Sequence, residues 1–461
     1  MTALVLAAVL LQAGDMQVAA SSNLETRPPA VAASPLQQRI DVAAPGATIE
    51  VAPGTYTGDL YIDRPIRLIG HGRPRLIGSG SGSVVLIRAA DVTIEGFDID
   101  GRGGGDLGRD SSGIHIAAPR ATVRDCRIVN SLFGVYLRDA PGSKVERTHV
   151  TGIRGKSAGE KGSGIHVWNT DGFELTGNEI EDVRDGLYIQ SSPHGVVRGN
   201  VARNLRYGLH YMYSDDNTFE DNVFENGAAG TTLMYSRRIT FRHNQFLRNR
   251  GFASVGLLFK SCDDIVAEYN LVADNARGIF IEGSTHNVFR GNVIIGSDIA
   301  VILYDSTTDT EFSGNSFIGN LTPLSLSGRR TETRFTGNYW SDNEALDLDG
   351  NGITDEPYRL SSLFDHVRGN LTAADLVSRS LAASAVAAAE KSLPVLEQIP
   401  VVDPAPLARP PALPVPIPVR PTGRSGDAAG FGTSLVMLTA GAWLLHSNRL
   451  RAPRARRRAR A

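Results

Sequence analysis

Apolar residues recur along the chain at two spacings, and neither is helical. After each of Gly113, Gly134, Gly164, Gly186, Gly208, Gly230, Gly256 and Gly278, and at the equivalent Ala300 and Pro323, apolar side chains fall at alternate positions, as in Ile114 and Ile116, Leu187 and Ile189, or Ile279 and Ile281. Such alternation marks a strand with one buried face. Later in each segment a second pair sits five residues apart, as in Phe219 and Phe224, Phe241 and Phe246, or Phe289 and Ile294. Four segments beginning GIHV, GLYI, GLHY and GTTL follow one another at a constant step, from Gly164 to Gly186, Gly208 and Gly230, and Asn178, Asn200, Asn222 and Asn244 keep the same step.

A fixed step of this size is the mark of a solenoid, in which each repeat buries its apolar face only by stacking on its neighbours. The pattern predicts an all-β fold, a right-handed parallel β-helix of about 22-residue rungs, with coils about 4.8 Å apart and like residues in columns. The recurrent Asn residues then form an internal ladder that satisfies turn backbone groups. Two steps are longer than the rest, the one from Gly134 to Gly164 and the one from Gly230 to Gly256. They predict surface insertions at 153–162 and near 248–254.

Flanking composition sets the other boundaries. Residues 1–20 read as a signal peptide, with an apolar run over 3–11 followed by Val18, Ala19 and Ala20, although the terminal amine is its sole positive charge. The β-helix domain is expected over 41–365, its first, less regular coils opening with IEVAPGTYTGDLYI. An Ala-rich capping helix follows at 372–391, starting Thr372-x-x-Asp375 and placed to cover the last coil. Then come a Pro-rich linker at 394–427, an uncharged stretch at 428–445 expected to span a membrane, and a basic tail at 446–461. Positive charge after the span places the tail in the cytoplasm and the solenoid outside.

Charge narrows the choice of partners. The chain carries −2, and setting aside the seven arginines between Arg449 and Arg460 leaves −9 on the remainder. An acidic body speaks against nucleic acid. The frame puts Cys126 and Cys262 six rungs apart, about 29 Å, so no disulfide joins them, and buried free thiols are expected.

Function has to come from outward positions, since inward ones build the core. Two residues after the rung glycine the outward column reads His115, Tyr136, His166, Tyr188 and His210; four after it come Trp168, Gln190, Met212, Met234 and Lys260. A solvated strand face would carry Thr, Lys and Glu, so His, Tyr, Trp and Met in register predict a binding strip on the exterior. His210, Met212 and Met234 are neighbours within it, with Tyr211 and Leu233 pointing inward. Imidazole with thioether suits Cu(I), and His166 lies in the same column. His and Tyr columns also bind sugars or simply stack. Tyr136, Trp168, Tyr188, Tyr213 and Tyr235 are the candidate partner surface.

A second candidate site follows the regular coils. Asp347, Asp349, Asn351 and Asp355 match positions 1, 3, 5 and 9 of a calcium loop, with Gly352 at 6 and the Ile353 carbonyl at 7, but Tyr358 stands where a bidentate Glu is expected. A polar turn closing the solenoid is the other reading.

The strings GLHYMYSDDNTFEDN, LMYS in the next rung, GNYWS and DLDGNGITDEPYR resemble the NosD family, over most of residues 45–365. The resemblance implies a periplasmic, non-catalytic accessory protein for assembly of the copper centres of nitrous oxide reductase, working with an ABC-type ATPase, its membrane permease and a copper chaperone. It supplies no ligand set, so His210, Met212, Met234 and His166 rest on the column pattern alone. Two further classes stay open: a polysaccharide lyase or epimerase gripping sugar on the aromatic strip, and a surface adhesin. No outward column stacks several carboxylates beside a Lys or Arg base, as the enzyme reading would require.

Overall fold

The constant step of the sequence appears in space as a staircase of parallel strands. A computed structural model of the chain describes residues 34–104, 110–251, 253–327, 331–360 and 401–411, all within the unit Met1–Val415. The expected signal peptide, capping helix, membrane span and basic tail lie outside the described residues. Among the described residues no helix is long and apolar enough to cross a membrane.

The fold is a right-handed parallel β-solenoid. Each coil contributes one strand to each of three sheets, of 13, 13 and 12 strands among the described residues, and each strand pairs in parallel with its counterpart one coil away. The third sheet carries the longer strands, Asp185–Gln190, Tyr207–Met212, Ala229–Arg237 and Val255–Asp263 among them. It forms the face on which the site is built.

The core is made of columns. Phe219 stacks on Phe241 with ring centroids 4.7 Å apart, and Phe289, Phe312 and Phe335 form a second stack at 4.5 and 5.0 Å. Ala267 occupies the column position between Phe241 and Phe289, and the ring of Phe259 fills the gap edge-on to both. The rung glycines face this core. A Cβ on Gly208 would lie 2.6 Å from the Gly230 carbonyl oxygen and 2.7 Å from the Phe224 ring, closer than any side chain tolerates.

Beside the phenylalanines runs the asparagine ladder. Asn178 Nδ2 donates to Asn200 Oδ1 at 2.8 Å, and the same bond passes through Asn222, Asn244, Asn270, Asn292, Asn315 and Asn338 at 2.9–3.0 Å. Each Oδ1 also accepts the backbone N–H of the preceding Asn, and each Nδ2 reaches a carbonyl of an earlier coil. Every polar atom of the amide is thereby satisfied in a dry interior. A shorter ladder of Ser192, Ser214 and Ser236 runs in parallel. Cys262 takes the next position in it, and Cys126 stands in the column that becomes the asparagine ladder. Both thiols are free and buried, and burial lifts them to about 11 for Cys126 and about 12 for Cys262.

Both ends of the described solenoid are closed, by devices the sequence pattern did not show. At the start, helix α1 (Pro35–Asp41) is capped by Ser34, has Pro at its first turn and buries Leu36 and Ile40. Its Gln37 side chain bonds the N–H and C=O of Tyr61 at 2.8 and 2.9 Å, taking the place of a neighbouring strand at a sheet edge. At the other end the stretch expected to be an extended linker is, over 401–411, bound to the last coil. Val402–Asp403 pairs antiparallel with Tyr358–Arg359. Buried Asp403 accepts from Gly337 N, Asn338 N, Asn338 Nδ2 and Trp340 Nε1 at 2.9–3.1 Å, ending the asparagine ladder with a carboxylate.

The two insertions fall in loops. The first holds a short 3-10 turn, Ala158–Glu160, closed by a Ser157–Glu160 capping box. The second lies between strands Gln245–Leu247 and Val255–Asp263.

Candidate functional site

Alternation along the strands of the third sheet sends Tyr211 and Leu233 into the core, both fully buried, so His210, Met212 and Met234 stand on the outer face. Strand pairing sets His115, Tyr136, His166, Tyr188 and His210 in one column. Their rings touch in succession, with centroids 5.0, 4.5, 4.2 and 4.8 Å apart.

The strip is less open than its outward register predicts. His115, Tyr136 and Met234 are each only 5% exposed and His210 4%. Coils about 4.8 Å apart leave barely a ring's thickness between like residues, so each ring covers the next. Flanking side chains add to this: Leu132 and Phe133 pack on Tyr136, and the Arg138 guanidinium lies over the Trp168 ring at 4.9 Å. Tyr188 is half-buried and donates its hydroxyl to Gln190. Of the five aromatic residues proposed as a partner surface, Tyr213 and Tyr235 are the exposed ones, at 55% and 46%. They stack at 5.1 Å with near-parallel rings, each held at a corner with positive φ, 51° and 54°. That conformation is unfavourable for a bulky residue, and the equivalent corners at Asn169, Ser191 and Ser261 share it, so it belongs to the coil.

Under the His/Tyr column lies a charged group that the sequence reading missed. Asp185 is fully buried and takes two bonds from Arg206, Nε to Oδ1 at 2.9 Å and Nη2 to Oδ2 at 2.6 Å. His210 Nδ1 approaches Oδ2 at 3.3 Å, and Arg184 Nε stands 3.5 Å away. Burial alone would raise the carboxyl's pKa, but the bonds from His210 and Arg206 win and hold it well below the usual carboxylate range. An ionised carboxylate only accepts, so His210 Nδ1 carries the hydrogen that faces it. Among the described residues the ring's buried Nε2 has no hydrogen-bond partner. A rung-by-rung reading of the position before each glycine would have found Asp185, because an acid there stands out from Tyr207, Ala229 and Val255.

The thioethers stand on the same face. Met212 and Met234 are paired residues on adjacent strands, and the repeated Met-Tyr-Ser sets a methionine on the face, a tyrosine at the exposed corner and a ladder serine inside. His166 is two coils from His210 with Tyr188 between them, about 10 Å away, so it stands apart from this group. Its buried Nδ1 also has no partner among the described residues. Burial, then the nearby Arg184 charge, push its pKa down to about 3, so the ring is neutral.

The calcium-like loop is brought together differently. Asp347 accepts from the N–H groups of Asn351 and Gly352, Asp349 from Asn351, Asn351 Oδ1 from Ile353 and Asp355 from Leu348, at 2.8–3.1 Å. Among the described residues no three His, Cys, Asp or Glu side chains are gathered closely enough to hold a metal. Methionine is outside that count.

Residues 145–345 match the family described as "Periplasmic copper-binding protein (NosD)". Over this stretch the chain resembles the NosD family. Two curated NosD relatives, both named "Probable ABC transporter binding protein NosD", come from Pseudomonas aeruginosa and Stutzerimonas stutzeri. They are 29% and 30% identical over 138 and 135 residues, covering 30% and 29% of this chain and 32% and 31% of theirs. The matched stretch thus spans about a third of the length of these relatives. Among solved structures, the Dettilon tailspike protein superposes with a TM-score of 0.50 at 12% identity, over 64% of this chain and 65% of that one. This likeness concerns the β-solenoid fold alone. The NosD-matched stretch contains His166, Asp185, Arg206, His210 and both methionines.

Proposed function

We propose that this chain is a periplasmic accessory protein for assembly of the copper centres of nitrous oxide reductase, holding Cu(I) transiently at His210, Met212 and Met234. It works with an ABC-type ATPase, a membrane permease and a copper chaperone, and is anchored through residues 428–445. The NosD match and the relatives' printed names support the setting.

The observation that carries the site is His210, whose Nδ1 is turned to Asp185 while Nε2 is buried and unpartnered among the described residues. A histidine whose second nitrogen is fixed by a carboxylate is the arrangement metal sites use to orient a ligand. Two paired thioethers on the same face make the donor set soft, which favours Cu(I) over Zn(II). Tyr213 and Tyr235, exposed one residue beyond the methionines, present the surface on which a partner docks to give or take the ion.

Changing Met212 and Met234 together to Leu nearly conserves volume, so each change costs under about 1.5 kcal/mol in stability. Cu(I) affinity, measured in competition with a calibrated chelator, should fall. If the double variant binds Cu(I) as tightly as the parent yet loses its chaperone or reductase, the methionines form an interface and the ligand assignment is wrong.

A further inference from the structure

Beside the His/Tyr column, on the same face, the coils starting at Gly208, Gly230, Gly256 and Gly278 enclose a pocket of about 740 Å³. Arg248, Arg250, Gly251, Ala253 and Ser254, from the lengthened step between Gly230 and Gly256, supply one wall. The floor is apolar, since outward residues of the third sheet that were His and Tyr in earlier coils become Leu258 and Phe280 here. The walls carry Arg206, Arg248, Arg250 and Arg277, and no Asp or Glu is among the described lining residues.

Neighbouring side chains orient three of these arginines. Arg206 is held through Nε and Nη2 by Asp185 and lies over the Tyr207 ring at 4.3 Å. Arg248 uses the same two nitrogens on Asn226 and Glu225, and Arg250 is fixed by Asp274 and Asp298. A guanidinium has five donors, so the Nη1 edges of Arg206 and Arg248 keep theirs uncommitted among the described residues. Fixed cationic edges around an apolar floor recognise a ligand that is apolar in body and anionic at one end.

We infer that this pocket binds a small organic anion with a flat apolar body and a carboxylate, phosphate or sulfonate group, a site separate from the proposed copper ligands and independent of that reading. Its volume lies in the usual range for small-molecule sites, roughly 300–1,000 Å³. The lengthened step has a purpose on this view: its extra residues follow Arg250 and put Gly251, Ala253 and Ser254 beside a floor that a regular coil would leave flat.

The test uses the full-length protein and 8-anilinonaphthalene-1-sulfonate as the probe. Saturable binding at one site per chain is expected, weakened at least about tenfold in Arg248→Gln/Arg250→Gln, since a hydrogen bond to a charged group is worth roughly 1.5–3 kcal/mol. Thr232→Trp, which fills the pocket without altering charge, should abolish it, and thermal melts establish that each variant is folded. Should the arginine variant not fold, Thr232→Trp decides alone. Competition by 1-naphthoate and by 1-naphthyl phosphate identifies the preferred head group, and either one displacing the probe upholds the site. Unchanged probe affinity in folded Thr232→Trp, or displacement by neutral N-phenyl-1-naphthylamine as strong as by both anions, would overturn it.

Discussion

Inside the solenoid the column from Asn178 to Asn338 repeats one polar residue coil after coil; outside, the column from His115 to His210 does the same with imidazoles and phenols. Strand pairing and period are shared, so the difference lies in what the polar atoms do. Each ladder amide spends its donors and acceptor on the coils above and below and ends on Asp403. In the outer column His166 Nδ1 and His210 Nε2 are buried with no partner among the described residues. A satisfied buried amide explains itself as structure. A buried nitrogen without a partner costs stability and calls for a ligand or another function to explain it.

The contrast can be broken most forcefully from the inside. Asn222→Ala would strand the N–H and Nδ2 of Asn200 and the carbonyl of Val197 in the core, at roughly 1–3 kcal/mol per group. A loss of about 4 kcal/mol or more in urea denaturation is expected from these groups together, and a loss near zero would mean the ladder is not structural. Phe241→Ala should cost about 3–5 kcal/mol through the cavity left between Phe219 and Phe259. A value below about 1 kcal/mol would show the column to be adaptable.

Asp403→Ala is expected to cost about 2–3 kcal/mol, because four donors at the last coil lose their acceptor. The loss should be local, so Trp340 fluorescence ought to change at lower denaturant than the far-ultraviolet signal of the coils. Coincident transitions would speak against a separate cap.

How far the sequence foretold these regions follows from the range of the interactions. The rung frame, the Asn ladder and the phenylalanine columns were legible because each repeats at one step, and that step is short enough for the pattern to survive. Helix α1 was missed although Ser34 and Pro35 carry an N-cap and first-turn signal, since so short a helix gives too little periodicity to register. Asp403 lies far along the chain from Asn338, in a Pro-rich stretch, and nothing local ties the two together. At the site, the frame placed His210, Met212 and Met234 on one face, but not the self-covering of the strip. Asp185 and Arg206 also went unread, because their meeting across a coil depends on side-chain direction before the glycine.

A smaller effect separates the outer column by pH. His166 is neutral in the folded chain, with its pKa pushed to about 3, while the unfolded imidazole has the usual value of 6.5. Below 6.5 the unfolded state therefore binds the extra proton, and stability falls as pH drops from 6.5 towards 3. The group contributes up to about 1.4 kcal/mol per pH unit in that window. His166→Phe should be within about 1 kcal/mol of the parent at pH 7 and show a shallower loss between pH 6 and 4.5. Parallel stability curves would show that the imidazole does not titrate as its burial requires.

The most direct measurement of the copper site is X-ray absorption at the copper edge on the Cu(I)-loaded full-length chain. Ligation by His210, Met212 and Met234 predicts a first shell of mixed nitrogen and sulfur, with the sulfur contribution lost in Met212→Leu/Met234→Leu and the nitrogen contribution lost in His210→Phe. A shell of nitrogen and oxygen alone in the parent, or a sulfur contribution that survives the double methionine change, would contradict it.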